Sequence, residues 1–150
     1  MLPAITWKHI LVPVDFSEHS QQAVQIAAYL ASQCAAKITL LHVLELPAFA
    51  PVEAHQAMDA SLKSANNCLD ELAEDVPTPL MCDVSSYLST EGVVPGIVEA
   101  AREYSADLII IAPHQSSWFR RIIHGSHTDD LLNRAPCAVL VVRSPKTASH

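Results

Sequence analysis

Short continuous runs of apolar residues alternate along the chain with longer stretches in which apolar residues recur every three or four positions. A short run is typical of a strand buried on both faces of a sheet, and the longer spacing is typical of an amphipathic helix. The runs predict five strands, at Ile10 to Val14, Lys37 to Leu44, Leu80 to Leu88, Leu108 to Ile111 and Ala138 to Val142.

Four helices are predicted between these strands. The first begins after Ser17, a residue type that favours the N-cap position, and the second covers Val52 to Ala73, ahead of Pro77 and Pro79. The third follows Gly92. The fourth is short and covers Ser126 to Arg134.

Strict alternation of strands and helices implies right-handed crossovers, a parallel sheet and helices on both faces. We therefore predict a doubly wound α/β fold with five parallel strands in the order 3-2-1-4-5. A chain of 150 residues, 50% of them hydrophobic, is long enough for one core. The predicted domain covers residues 1–143, and the polar residues 144–150 are expected to form a disordered tail.

Charge and cysteine content limit the partners and the compartment. The net charge is -7, and no run of basic residues is longer than Arg120-Arg121, so we expect no binding to nucleic acid. No apolar run approaches the roughly 20 residues that cross a bilayer. The four cysteines are widely spaced and follow no signal-peptide pattern, which predicts a soluble cytoplasmic protein with reduced, buried thiols.

Several chemistries of α/β proteins lack their residues in this chain. With only three glycines, neither the dinucleotide-binding nor the P-loop glycine motif can be written, and no G-x-S-x-G sequence is present. A Ser116, His114, Asp15 triad would have no nucleophile elbow or oxyanion loop. His114, His124 and His127 match no established zinc spacing, so no metal site and no enzyme activity are expected.

Four segments, taken in order, resemble the universal stress protein family. They are "HILVPVDFSEHSQQAVQIAAYLA", "AKITLLHVLE", "EGVVPGIVEAAREYSADLIIIA" and "HGSHTDDLLNRAPCAVLVV", and they cover roughly Trp7 to Arg143. The resemblance implies a five-stranded parallel α/β sandwich, usually a homodimer, made under stress or starvation. Members of the family differ in whether they bind ATP.

ATP-binding members carry a glycine pattern after the fourth strand, G-x-x-G, nine residues, then G-[ST]. In this chain the two leading glycines are replaced by Ala112 and Gln115, while Gly125 and Ser126 are kept at the expected spacing. Glycine lets backbone N–H groups approach phosphate oxygens closely, which a Cβ hinders. The segment "HQSSW" resembles instead the branch that lacks the motif and is not thought to bind ATP.

A nucleotide, ATP or AMP, would meet a defined set of residues if it binds at all. A doubly wound sheet binds ligands where strand order reverses, which places the site between Asp15 and Ala112. Asp15 and Val43 resemble the positions that contact adenine, although Asp15 could simply form the turn and cap the first helix, and Val43 could simply lie in a buried strand. Ser126 and Asp129 could be a capping box without a ligand. The candidate residues are Val14, Asp15, Val43, Ala112, His114, Gln115, Gly125 and Ser126.

Three functions therefore stay open. The first is a non-enzymatic cytoplasmic stress protein, a homodimer that does not bind ATP tightly and acts through partners or through a weakly held ligand. The alternative is an ATP-binding or AMP-binding member with weak or no hydrolysis, in which Ser116 and Arg120 replace the missing glycine contacts. The third is a member that binds another small ligand in the same cleft.

Two surfaces are candidates for association. The fifth strand, Ala138 to Val142, is expected at the sheet edge, where unpaired backbone groups recruit another strand, so we predict that it forms the homodimer interface. An apolar cluster around Trp118, with Phe119, Ile122 and Ile123, could be a patch for a protein partner or could fold onto the core.

Overall fold

The computed structural model describes residues 1–112 and 126–143 of the chain. The strands form one five-stranded parallel sheet in the order β3-β2-β1-β4-β5, as predicted. The elements follow the chain as β1 (His9–Pro13), α1 (Glu18–Cys34), β2 (Lys37–Glu45), α2 (Val52–Ala73), β3 (Cys82–Ser89), α3 (Val93–Glu103), β4 (Leu108–Ile111), α4 (Ser126–Arg134) and β5 (Ala138–Val141).

Helices cover both faces of the sheet, which confirms the doubly wound architecture. Because successive side chains of a strand point to opposite faces, Ile10 and Val12 pack on one side while Leu11 packs on the other. The first side, here the α1/α2 face, is covered by α1 and α2. The second, the α3/α4 face, is covered by α3 and by Leu131 of α4.

Strand β3 departs from the predicted apolar pattern. It begins at Cys82 rather than Leu80, because the Leu80 N–H donates to the Pro77 carbonyl in a turn before the strand. Its side chains are mostly polar and half-buried, as suits a strand at the edge of the sheet, where Asp83 pairs with Lys37 of β2.

The prediction that the cysteines are buried is wrong. Cys68 is exposed on α2, and Cys34, Cys82 and Cys137 are only partly buried. Their sequence neighbours follow helix and strand patterns, but exposure depends on which face the neighbouring elements leave open. Within the described part of the chain, no helix is both long and apolar enough to cross a membrane.

Gly96 allows α3 to lie close against β2. A Cβ at this position would come within 2.7 Å of Val43 Cγ1 and 3.1 Å of Ser89 Cβ, closer than ordinary van der Waals contact. The absence of a side chain at Gly96 therefore fixes the distance between α3 and the carboxyl end of β2.

The substitution Gly96→Ala is expected to destabilise the fold by about 1–3 kcal/mol, because α3 must shift to make room for the methyl group. Chemical denaturation would measure the free energy of unfolding. In a Val43→Ala background the same substitution should cost less, because the Cγ1 obstacle is gone. An equal cost in both backgrounds would contradict this contact.

Candidate functional site

The candidate cleft lies where β1 leaves the sheet. The last residue pair between β1 and β2 is Pro13 with Leu41, and the Val14 N–H then donates to the Leu41 carbonyl at 2.7 Å. Strand β2 continues along β3 as far as Glu45, which pairs with Ser89. In the described part of the chain, the ladder between β1 and β2 therefore ends at Val14, while β2 continues to Glu45 beside β3.

Asp15 ties the end of β1 to the first turn of α1. Its Oδ1 accepts hydrogen bonds from the Ser17 N–H at 3.1 Å, the Ser17 hydroxyl at 2.6 Å and the Ser20 hydroxyl at 2.6 Å. The Asp15 N–H donates to Ser20 Oγ at 2.9 Å. Bonds to a charged acceptor are stronger than bonds between neutral groups, so this cluster holds the turn firmly.

Ser17 is the N-cap of α1, as predicted, and its side chain accepts a bond from the Ser20 N–H. Asp15 thus supports the cap from the preceding turn instead of capping the helix itself. Ser20 was not among the predicted site residues, although it is only 1% exposed. A buried serine at the third helical position, after a Ser N-cap, is the sequence signal that could have identified it.

Val43 offers its backbone to the cleft. Alternate residues of a strand point their N–H and C=O groups to the same side, and Leu41 points toward β1. The backbone groups of Val43 therefore point to the side that β1 has left. Its side chain is buried against α3, so only the peptide could meet a ligand.

Val14 and Ala112 lie in the core beneath the cleft. Both side chains belong to the cluster on the α1/α2 face, with Val14 fully buried and Ala112 1% exposed. The described residues other than glycine that have positive φ do not include Ala112. The methyl group at this position therefore meets no strain from a left-handed backbone.

Phe16 and His42 form a second link between the β1 turn and β2. His42 Nδ1 donates to the Val14 carbonyl at 2.9 Å, since a carbonyl can only accept, which assigns the proton to this nitrogen. Phe16 has φ +64° and packs on the His42 ring with centroids 4.6 Å apart. A left-handed aromatic residue is uncommon, and the Asp15 turn together with this ring contact holds it.

The remaining predicted site residues fall largely outside the described part of the chain. His114, Gln115 and Gly125 lie there, as do Ser116, Trp118, Arg120 and His124. The helix that was predicted to begin at Ser126 does begin there. The contribution of its first turn to a phosphate site stays a prediction.

A hollow of about 360 Å³ lies at the opposite, amino end of the sheet. His9 Nδ1 donates to the Tyr104 carbonyl at 2.8 Å, and His9 Nε2 lies 2.7 Å from Thr39 Oγ1. The hydroxyls of Ser85 and Tyr104 are 2.7 Å apart. These groups bond one another and connect β1, β2 and β3 to the end of α3, which is a structural role.

Two of the thiols are poorly suited to chemistry at neutral pH. Burial, with a smaller contribution from Asp83, raises the pKa of Cys82 to about 11. Burial also raises the pKa of Cys137, with Asp107 adding to the effect. Both thiols are therefore protonated and weakly nucleophilic at neutral pH.

Comparison with known proteins gives a consistent match over the whole domain. A family model described as the universal stress protein family matches residues 6–143. A universal stress protein A homolog from Haemophilus ducreyi is 32% identical over 142 residues, which cover 91% of this chain and 96% of that protein.

Solved structures show the same fold. The universal stress protein UspA from Lactobacillus plantarum has a TM-score of 0.70 and 25% identity, covering 93% of this chain and 100% of that one. The universal stress protein from Archaeoglobus fulgidus in complex with dAMP has a TM-score of 0.60 and 19% identity, covering 91% of this chain and 98% of that one. At this identity the second likeness concerns the fold alone.

The Asp15 turn makes a direct prediction for stability. Ser20→Ala removes a buried hydroxyl that both donates to the Asp15 carboxylate and accepts from its N–H, so unfolding should become easier by about 1–3 kcal/mol. Ser32→Ala is the matched control, because Ser32 is an exposed serine on the same helix. Urea unfolding of both variants would measure the difference, and equal stabilities would refute the role given to Ser20.

Proposed function

Because the chain belongs to the universal stress protein family, we propose that it acts in the stress response as a non-enzymatic, cytoplasmic homodimer that does not bind ATP tightly. The observation that supports this proposal is the set of hydrogen bonds that Asp15 accepts. Its Oδ1 accepts three bonds from Ser17 and Ser20, so this carboxylate oxygen serves the turn. A ligand at this oxygen would have to compete with those donors.

The sequence of the loop after β4 supports the same proposal. Gln115 replaces a glycine of the ATP-binding pattern, and Pro113 removes a backbone donor from the loop. A phosphate chain would therefore find fewer backbone N–H groups within reach than in members with the full pattern.

Adenine nucleotide binding, of ATP or AMP, is the second candidate function. It is favoured by the Val43 peptide, whose N–H and C=O point to the side of β2 that β1 has left. The dAMP held by the Archaeoglobus fulgidus protein gives this candidate its ligand class. Gly125 and Ser126 would serve the phosphates at the start of α4, where a helix N-terminus favours an anion.

The homodimer is proposed to form through β5. This strand lies at the edge of the sheet, and neither lysine nor proline occurs within it. Leu140 is 38% exposed on the α1/α2 face. A second copy of β5 would satisfy the edge backbone groups and cover this side chain.

Titration calorimetry with ATP and AMP, with magnesium present, tests the nucleotide proposal. We expect no saturable heat at millimolar nucleotide, for the native chain and for Asp15→Ala alike. Saturable micromolar binding that Asp15→Ala abolishes would overturn the proposal and establish the second candidate.

The loop can be tested by restoring its glycines. Ala112→Gly alone should not create nucleotide binding, because the Ala112 methyl lies in the core and causes no strain. Ala112→Gly combined with Gln115→Gly should give measurable ATP affinity by calorimetry, and a further Gly125→Val should remove it. An inert double variant would place the obstacle elsewhere, and a gain from Ala112→Gly alone would contradict the core position of this methyl.

The dimer makes a separate prediction. Leu140→Lys should shift the protein toward monomer in sedimentation velocity, because a charge would be buried at the interface. Met81→Lys, which changes an exposed residue next to the opposite edge strand, should leave the sedimentation coefficient unchanged. A Leu140→Lys protein that stays dimeric would exclude this edge as the interface.

A further inference from the structure

The first half of α2 carries apolar residues that the core does not use. The buried residues of this helix are Ala65, Leu69 and Leu72, all in its second half. Val52 is 67% exposed although it begins the helix, and Met58 and Leu62 are only partly buried. The helix therefore extends past the core with an apolar stripe that its own fold covers only in part.

This stripe forms one wall of a groove, here called the α2 groove. The other wall consists of residues at the carboxyl ends of β2 and β3, and the groove has a volume of about 270 Å³. Leu88 on the strand wall is 41% exposed. The apolar lining residues are Leu46, Val52, Met58, Leu62 and Leu88.

Contiguous exposed apolar surface in a folded protein marks a site of association, because covering it removes apolar area from water. Phe49, in the loop between β2 and α2, is fully exposed and so does not fill the α2 groove. The stripe from Val52 to Leu62 rises about 15 Å along α2, which matches two to three turns of a second helix. Apolar anchors at helical spacing are the usual means of binding such a groove.

The charge of α2 indicates which kind of helix would bind in the groove. The first half of α2, which forms the groove, carries two carboxylates, Glu53 and Asp59, and neither lysine nor arginine. Asp59 lines the groove itself. A helix with apolar anchors and flanking lysines or arginines would therefore meet complementary charge.

We propose that the α2 groove docks a basic amphipathic helix of a partner protein. The proposal rests on the proposed function, because a non-enzymatic protein that does not bind ATP tightly would act by binding partners. A second copy of this chain is disfavoured as the occupant of the groove, because it would bring an equally acidic α2 to a contact between the two grooves.

Methionine methyl signals in NMR give a local test on the full chain. The chain has three methionines, of which Met58 lines the groove, while Met1 and Met81 are exposed outside its lining. The probe is a synthetic helical peptide of leucine and lysine, with leucine at helical spacing. A peptide in which glutamate replaces every lysine is the charge control.

The leucine and lysine peptide should shift the Met58 signal saturably and leave Met1 and Met81 unmoved. Val52→Lys and Leu88→Lys, which change exposed positions on the two walls, should each weaken binding by at least about tenfold. Tyr29→Lys, at an equally exposed residue of α1, is the matched control and should bind as the native chain does. The glutamate peptide should not bind.

An unmoved Met58 signal, or equal binding by the groove variants and the native chain, would overturn the proposal. A Met58 signal that changes with protein concentration and no peptide would also overturn it, since a second copy would then occupy the groove. These results are independent of nucleotide calorimetry, so a failure here and a failure of the proposed function can be told apart.

Discussion

The hydrogen bonds between Asp15 and the first turn of α1 determine where the chain leaves the sheet. One carboxylate oxygen accepts from the Ser17 N–H and from the hydroxyls of Ser17 and Ser20, which turns the chain directly from the end of β1 into α1. Because β1 ends at Pro13 while β2 runs on to Glu45, the Val43 peptide is left facing a cleft. Val14 lies at the bottom of this cleft. Its N–H donates to the Leu41 carbonyl, and its carbonyl accepts from the His42 ring.

The fold was predictable wherever burial on both faces leaves its mark on the sequence. Leu108–Ile111 is recognisable as a central strand because all four residues are apolar and buried, and Val52–Ala73 is recognisable as a helix because its apolar residues recur every three or four positions. Strand β3 was harder, because an edge strand needs fewer apolar residues and its pattern is weak. The cysteines were misjudged because their exposure depends on which elements pack beside them.

The candidate site was predictable at the level of strand ends and no further. The order of strands places Asp15, Val43 and Ala112 close together at the carboxyl ends of neighbouring strands, so these positions follow from topology. The partners of Asp15 could not be read in the same way, because Ser20 reaches the carboxylate only in the geometry of this turn. His42 likewise meets the Val14 carbonyl only because of the register between β1 and β2.

The cleft and the α2 groove both lie at the carboxyl end of the sheet. The cleft is at the ends of β1 and β4, and the groove is at the ends of β2 and β3. In a non-enzymatic protein, this end of the sheet would function by binding alone. At the cleft, the Asp15 turn is hydrogen-bonded to the start of α1, and at the groove the first half of α2 presents apolar residues together with Glu53 and Asp59.

The central claim is that the Asp15 carboxylate serves the turn and that the cleft does not retain an adenine nucleotide. The most direct test is to purify the protein without added nucleotide, denature it and separate the released small molecules by ion-exchange chromatography. The account predicts that no adenine nucleotide is released in proportion to the protein. One adenine nucleotide per chain would contradict it.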